Sequence, residues 1–453
     1  MNIPNDFFFG IADADLQVIS EDRSRTHENS AETMWMRYCL DKGIDTPGAG
    51  IDRYSLWSQD ADLMRDLGVK DYRTSISMSR ILTESGNENV KALQWYKQYF
   101  SRLQSYGIRI YATLYHWELP QYLYEKGGWR HPRTTELFVK HATLVQKHLG
   151  QYIEEYFILN EPRCSSLVAH YLGDHAPGER NLAVALEVAH KLLYAQAEVA
   201  DVMIKTDPAV KLSTALNLGP RYAKDLNKDN VEAAKLLDEH KNGWFLDPVF
   251  LGSYPAGLSH VYGDAMQQKF HDEAKYLKIC DKLYSLGVNY YRGDIAFASN
   301  NELGFDKMLN PKGETSHLGW GLFWEPHYRN GLYDILNQTY AKYHLHGLNR
   351  IYITENGTAV DTTHYQLNDE KRIRYMRKHL AMIMNAKKLG VPVLGYFPWT
   401  FMDNFEWAEG YRNDSSFGMV YVDRKSMKRI PKKSYYWYQS LIQDRVLLDE
   451  DET

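Results

Sequence analysis

Glu161 and Glu355 each stand at the end of a short apolar run, in Leu159-Asn160-Glu161-Pro162 and Ile353-Thr354-Glu355-Asn356-Gly357. Either one alone reads as a buried ion-pair partner, with Arg73 as the available cation. Placed together across a narrow cleft, two carboxyls can cleave a glycosidic bond. One donates a proton to the leaving oxygen, and the other attacks the sugar carbon or activates water. Direct attack, which retains configuration, calls for carboxyl groups about 5–5.5 Å apart, and a gap near about 8 Å implies inversion.

Such a pair needs a rigid frame. Eight short β-branched or aromatic runs recur along the chain, at Phe7–Ile11, Asp71–Ser75, Arg109–Tyr115, Tyr156–Asn160, Lys211–Asn217, Leu283–Asn289, Arg350–Glu355 and Val393–Trp399. Segments with apolar residues at helical spacing lie between them. Ser58–Leu67 ends at the stop signal Gly68, and Asn89–Tyr106 carries Leu93, Tyr96, Phe100 and Leu103. Leu182–Thr206 is rich in alanine and leucine. Asp369–Leu389 opens on Asn368 or Asp369 as a cap and stops at Gly390. Strands alternating with helices predict parallel βαβ units, and eight of them predict a single α/β domain over residues 1–453, a closed (β/α)8 TIM barrel with extended βα loops.

Chemistry in such barrels sits at the C-terminal ends of the strands. Those ends carry Gln17, Arg73, His116-Trp117-Glu118, Asn160-Glu161, Asn217, Asn289-Tyr290-Tyr291, Glu355-Asn356 and Trp399, the last followed by Asp403-Asn404-Phe405-Glu406-Trp407. Amides, carboxylates, an arginine, a histidine and tryptophans converging on one rim suit a polyol. Sugar hydroxyls take the hydrogen bonds, and the C–H face of the ring packs on an indole.

Composition narrows the partners. A hydrophobic fraction of 44% supports a large core, and a net charge of -5 without a basic block leaves no footprint for nucleic acid or an anionic membrane. No run of about eighteen apolar residues is present, so no transmembrane helix is expected. Cys39, Cys164 and Cys280 are few and scattered, which suits a reducing compartment. With no signal-peptide pattern at Met1–Gly10, a cytoplasmic location is expected.

The two glutamate motifs resemble the active-site signatures of glycoside hydrolase family 1, the β-glucosidase family. Further blocks resemble the same family in the same order: Asn5–Gly10, Asp71–Ser77, Thr113–Pro120, Gly127-Gly128-Trp129, Asn242–Pro248, Asn289-Tyr290-Tyr291 and Asp403–Trp407. The resemblance implies a retaining β-glycosidase acting on terminal β-D-glucosyl residues, with galactosyl and fucosyl residues as further candidates. It implies Glu161 as general acid and then base with a raised pKa, and Glu355 as nucleophile held ionised by Arg73 and Tyr291. It implies Asn160 on the sugar 2-hydroxyl, Gln17, His116, Glu406 and Trp407 on the other hydroxyls, Trp399 as the stacking floor and Trp320 beside the leaving group. Some positions depart from the family pattern. Val18-Ile19-Ser20 replaces Ile-Glu-Gly after Gln17, Met78-Ser79 replaces Trp-Pro, and Ile158 replaces a threonine.

Three rival functions are weighed against this one. A 6-phospho-β-glycosidase would need cations where Glu406 places a carboxylate. A sugar-binding barrel without catalysis would be expected to lack one of the two glutamates. A Schiff-base aldolase would need a lysine at a strand end, and none of the eight ends has one. Hydrolysis by two carboxylates calls for no metal and no cofactor, so the expected partners are small β-glycosides or oligosaccharides. The choice of sugar, the leaving group and the oligomeric state stay open.

Overall fold

The computed structural model describes residues 1–19, 30–48, 50–308, 331–362 and 367–448. Eight parallel strands close into a barrel: β1 Phe8–Ala12, β2 Asp71–Ser75, β3 Arg109–Thr113, β4 Ile153–Asn160, β5 Leu212–Asn217, β6 Ser285–Asn289, β7 Ile351–Asn356 and β8 Val393–Pro398. Each strand pairs with its sequence neighbours, and β1 closes the ring against β8 through Phe8↔Gly395 and Phe9↔Tyr396. All eight expected strands are present, shifted by zero to three residues at their ends. Most of the strands carry apolar runs because helices cover the barrel outside while side chains fill it inside, whereas β2 buries Asp71, Arg73, Thr74 and Ser75. That filling is tight. A Cβ on Gly287 of β6 would lie 2.8 Å from the Thr354 side chain and 2.9 Å from Phe157.

The expected helices form at Arg53–Leu67, Val90–Ser105, Leu182–Thr206 and Glu370–Lys388. The Asn89 side chain accepts from the Ala92 amide, and that of Asn181 from the Val184 amide, so both ends are capped by side chains. Asp369 departs from its expected capping role. Its carboxylate accepts instead from Arg372 Nε at 2.8 Å and Ser434 Oγ at 2.6 Å, tying this helix to the C-terminal helix Lys433–Asp444. The first helix starts five residues earlier than expected. Its opening residue, Arg53, is fully buried and pairs with Asp13 and, at 3.0 Å, with Asp60 of the same helix. A buried ion pair replaces the apolar contacts that helical periodicity looks for. No described helix is long and apolar enough to cross a membrane.

Candidate active site

The C-terminal strand ends open into a cavity of about 680 Å³, a size suited to a small ligand. Its wall includes His116, Glu161, Tyr291, Glu355, Trp399, Glu406 and Trp407. Arg73, Asn160 and Gln17 are fully buried just behind that wall. Nine of these ten expected residues come from six strands and their loops, and Gln17 follows β1 in the short turn Asp15–Val18. Trp320 lies outside the described residues.

The two glutamates share one polar network. Arg73 Nη1 donates to Glu355 Oε1 at 2.8 Å, and Tyr291 Oη donates to Glu355 Oε2 at 2.7 Å. The other Arg73 nitrogen, Nη2, donates to Asn160 Oδ1 at 2.6 Å. Asn289 Nδ2 then bridges, donating to Asn160 Oδ1 at 2.9 Å and to Glu161 Oε1 at 2.8 Å. Thr354 Oγ1 donates to Asn289 Oδ1 at 2.6 Å and fixes the amide's orientation. Asn217 Nδ2 reaches Glu161 Oε1 at 3.4 Å, and the Cys164 thiol donates to Glu161 Oε2 at 2.9 Å.

Asn289 and Cys164 are absent from the sequence-based set of site residues. Asn289 was visible as a strand-end amide, but its role depends on the registers of β4, β5 and β6, which bring its side chain to Asn160 and Glu161. Cys164 reaches back because Cys164–Leu172 winds as a wide π-type helix directly after the Glu161 segment, a rare form found often at functional sites. Glu161 itself holds φ at +45°. Such a conformation costs a non-glycine residue about 1–3 kcal/mol and persists where the surroundings fix it.

The electrostatics follow from burial. Glu355 is almost fully enclosed, and the loss of water is the largest influence on its carboxyl. Arg73 and Tyr291 pull its pKa down, but burial and the facing Glu161 outweigh them and leave it raised to about 7. Arg73 and Tyr291 hold its two oxygens and favour the ionised form against that burial. Glu406 is raised to about 8 by burial, then by Glu409, Glu355 and Glu161. Part of its side chain still faces the cavity.

The opposite wall reads a polar ligand. Burial, then Arg73, pulls His116 well below its usual range and keeps it neutral. Its Nε2 faces Asn160 Nδ2 at 3.1 Å. The amide must donate there, so Nε2 is the acceptor and the ring proton sits on Nδ1. Nδ1 has no partner among the described residues. Gln17 Nε2 donates to Phe405 O at 2.6 Å and Asn404 Oδ1 at 3.3 Å, which leaves the buried Oε1 as an open acceptor. His116 stacks between Trp399 and Trp407, at 5.6 Å and 20° and at 5.7 Å and 12°. Gly357 lets β7 approach this wall, since a Cβ there would fall 1.9 Å from Trp399 O. One donor, one acceptor, a carboxyl and flat indoles make a surface for a hydroxylated ring. Among the described residues no group of three or more His, Cys, Asp or Glu could hold a metal ion.

Residues 1–446 match the family profile described as "Glycosyl hydrolase family 1". The chain belongs to glycosyl hydrolase family 1. It is an O-glycosyl hydrolase of the β-glucosidase type. It is 32% identical over 455 residues to "Beta-glucosidase A" of Acetivibrio thermocellus, covering 98% of this chain and 99% of the relative. It is 34% identical over 447 residues to "Beta-glucosidase" of Agrobacterium sp., covering 97% and 95%. Among solved structures it is similar to the "Family 1 b-glucosidase from Thermotoga maritima", with a TM-score of 0.91, 30% identity and 99% of each chain covered.

Proposed function

We propose that this family 1 chain is a retaining β-glucosidase that removes terminal β-D-glucosyl residues from small glycosides by double displacement, working as one catalytic barrel over residues 1–453. Glu161 is the acid/base and Glu355 the nucleophile. The observation that carries the reading is the network around the pair. Glu355 is gripped on both oxygens by Arg73 and Tyr291, while Glu161 is held across the same cavity by Asn289. In the reactive state the proton sits on Glu161 and the charge on Glu355. A Glu355 oxygen attacks the anomeric carbon as Glu161 gives its proton to the departing oxygen, leaving a glycosyl ester and a free alcohol. Glu161 then takes a proton from water, the water oxygen attacks the same carbon, and Glu355 leaves as carboxylate.

The sugar's hydroxyls meet His116 Nδ1, Gln17 Oε1 and Glu406, its 2-hydroxyl meets Asn160, and its ring packs on Trp399. A fucosyl substrate is a second reading. It is favoured by similarity to the "Bifunctional beta-D-glucosidase/beta-D-fucosidase" of Bifidobacterium breve, at 31% identity over 474 residues. The Thermotoga maritima neighbour is also known in complex with deoxynojirimycin, a complex consistent with a glucose-shaped pocket here. Cys39, Cys164 and Cys280 are all free thiols and all buried, which suits the cytoplasm. Hydrolysis of an aryl β-glucoside by the wild type and by Glu355→Gln tests the proposal. The variant is expected to lose activity by several orders of magnitude, and an unchanged rate would remove Glu355 from the reaction.

A further inference from the structure

Beyond Glu161 the cavity wall changes character. It carries Arg163, Arg292 and Lys307, drawn from three separate segments of the chain. Arg163 follows Glu161 by two positions. Its Nη2 donates to Asn217 Oδ1, and Asn217 Nδ2 reaches Glu161 Oε1. A general acid stands beside the oxygen that departs, so these cations border the space entered by the leaving group rather than by the sugar. Arg163 Nε is buried and has no partner among the described residues.

Behind this wall, among the described residues, cations outnumber carboxylates, with Asp238 drawing on Arg221, and Asp294 on Arg221 and the rest. Asp294 forms ion pairs with Arg221 at 2.8 Å and Lys241 at 2.7 Å, all three side chains being buried. The same carboxylate is the strongest attraction felt by Arg292 and by Lys307. Four cations thus draw on Asp294, and Arg163 adds repulsion to each of them. Burial pulls Lys241 and Lys307 below the usual lysine range. Of the acidic groups elsewhere on the cavity wall, Glu409 is engaged away from this cluster by Arg412 at 2.7 Å. Partly desolvated cations that repel one another at a cavity wall are relieved by an entering anion, whose charge-assisted hydrogen bonds are about twice as strong as neutral ones.

We propose that the leaving-group side of this cavity accepts an aglycone bearing an anionic group, a carboxylate or phosphate-type oxyanion, held by Arg163 and Lys307 with Arg292 beside them. This rests on the β-glucosidase reading and specifies its substrate class as acidic β-glucosides. The reaction is unchanged. The anion fixes the leaving group and takes no part in bond making.

The test compares three aryl β-glucosides: the 4-hydroxyphenylacetate glucoside, its methyl ester, and its phosphonomethyl counterpart. The methylene insulates the acid from the ring, so the three phenolic leaving groups are closely matched. The wild type is expected to show a kcat/KM about tenfold or more higher for at least one acid than for the ester, with the advantage shrinking as salt is raised. The phosphonate and carboxylate arms show which oxyanion fits. Lys307→Met and Arg163→Met keep the aliphatic stems, and in either one the preference for acid over ester is expected to collapse. Lys307→Met should lower kcat/KM for the acids by a larger factor than for the ester. No preference for either acid, or a preference that both variants retain, overturns this inference while ester cleavage keeps the β-glucosidase reading intact. Failure to cleave any of the three overturns that reading and this one with it.

Discussion

Replacing Glu355 by Gln should raise the stability of the fold by an amount that grows with pH. Glu355 is raised from an ordinary value of 4.5 to about 7, chiefly by burial. Between those values the folded protein holds a proton that the unfolded chain has released. The stabilisation due to that proton is present in full below about pH 4.5 and is lost as pH rises through about 7. At about 1.4 kcal/mol per pKa unit, the swing is on the order of 3 kcal/mol. Gln has the same shape and does not titrate, so the variant escapes it. For a chain of 453 residues, an unfolding entropy of about 2.1 cal/mol/K per residue turns 3 kcal/mol into about 3 °C in Tm. Gln also changes the hydrogen bonds to Arg73 and Tyr291, which offsets the whole curve by a constant. The quantity to follow is therefore the difference in Tm between variant and wild type, measured by calorimetry from about pH 4.5 to about pH 8. It should move in the variant's favour by about 3 °C across that range and flatten above about pH 7. A difference that stays level with pH would refute the claim that burial raises this carboxyl. A difference that moves the other way would mean that Arg73 dominates.

Other variants probe the same network. Tyr291→Phe removes a donor 2.7 Å from Glu355 Oε2. Because that bond lowers the Glu355 pKa, its loss should move the acid limb of the kcat/KM profile to higher pH and cost about 10- to 100-fold at neutral pH. A profile that does not move would exclude Tyr291 as a support of the nucleophile. Asn289→Ala frees both Asn160 and Glu161 and is expected to lower kcat/KM by about 10- to 100-fold with a folded protein by circular dichroism. Near-wild-type rates would show that the bridge positions nothing. Glu161→Ala should cleave an activated aryl glucoside slowly and be accelerated by azide, giving a β-glycosyl azide. An α-azide, or no acceleration, would contradict its role.

The barrel is legible in the sequence for a physical reason. Parallel strands are buried on both faces, so Tyr156–Leu159 in β4 and Ile351–Ile353 in β7 read as unbroken apolar runs that end where polar groups reach the rim. Edges are less legible. The run Arg109–Tyr115 suggests a longer β3, but the ladder stops at Thr113 as the chain turns toward Trp117, whose φ is +72°. The start of the Arg53–Leu67 helix is hidden because Arg53 and Asp60 satisfy each other where apolar periodicity expects hydrocarbon. Within the site, the strand-end position flagged Glu161, Glu355 and Arg73. It could not show Asn289 as the bridge, because its partners Asn160 and Glu161 come from the end of β4, two strands away around the closed barrel. It could not show the cation cluster either, since Arg163, Arg292 and Lys307 stand apart from one another in the chain and only folding gathers them.

The account stands most directly on the stereochemistry of the first turnover. Proton NMR of an aryl β-glucoside digest, recorded within minutes of mixing and before the free sugar equilibrates, resolves the anomer released. Two successive displacements by Glu355 and water release β-glucose first, with the α-anomer growing in later by mutarotation. α-Glucose as the first product would mean a single displacement by water, and would remove Glu355 as nucleophile.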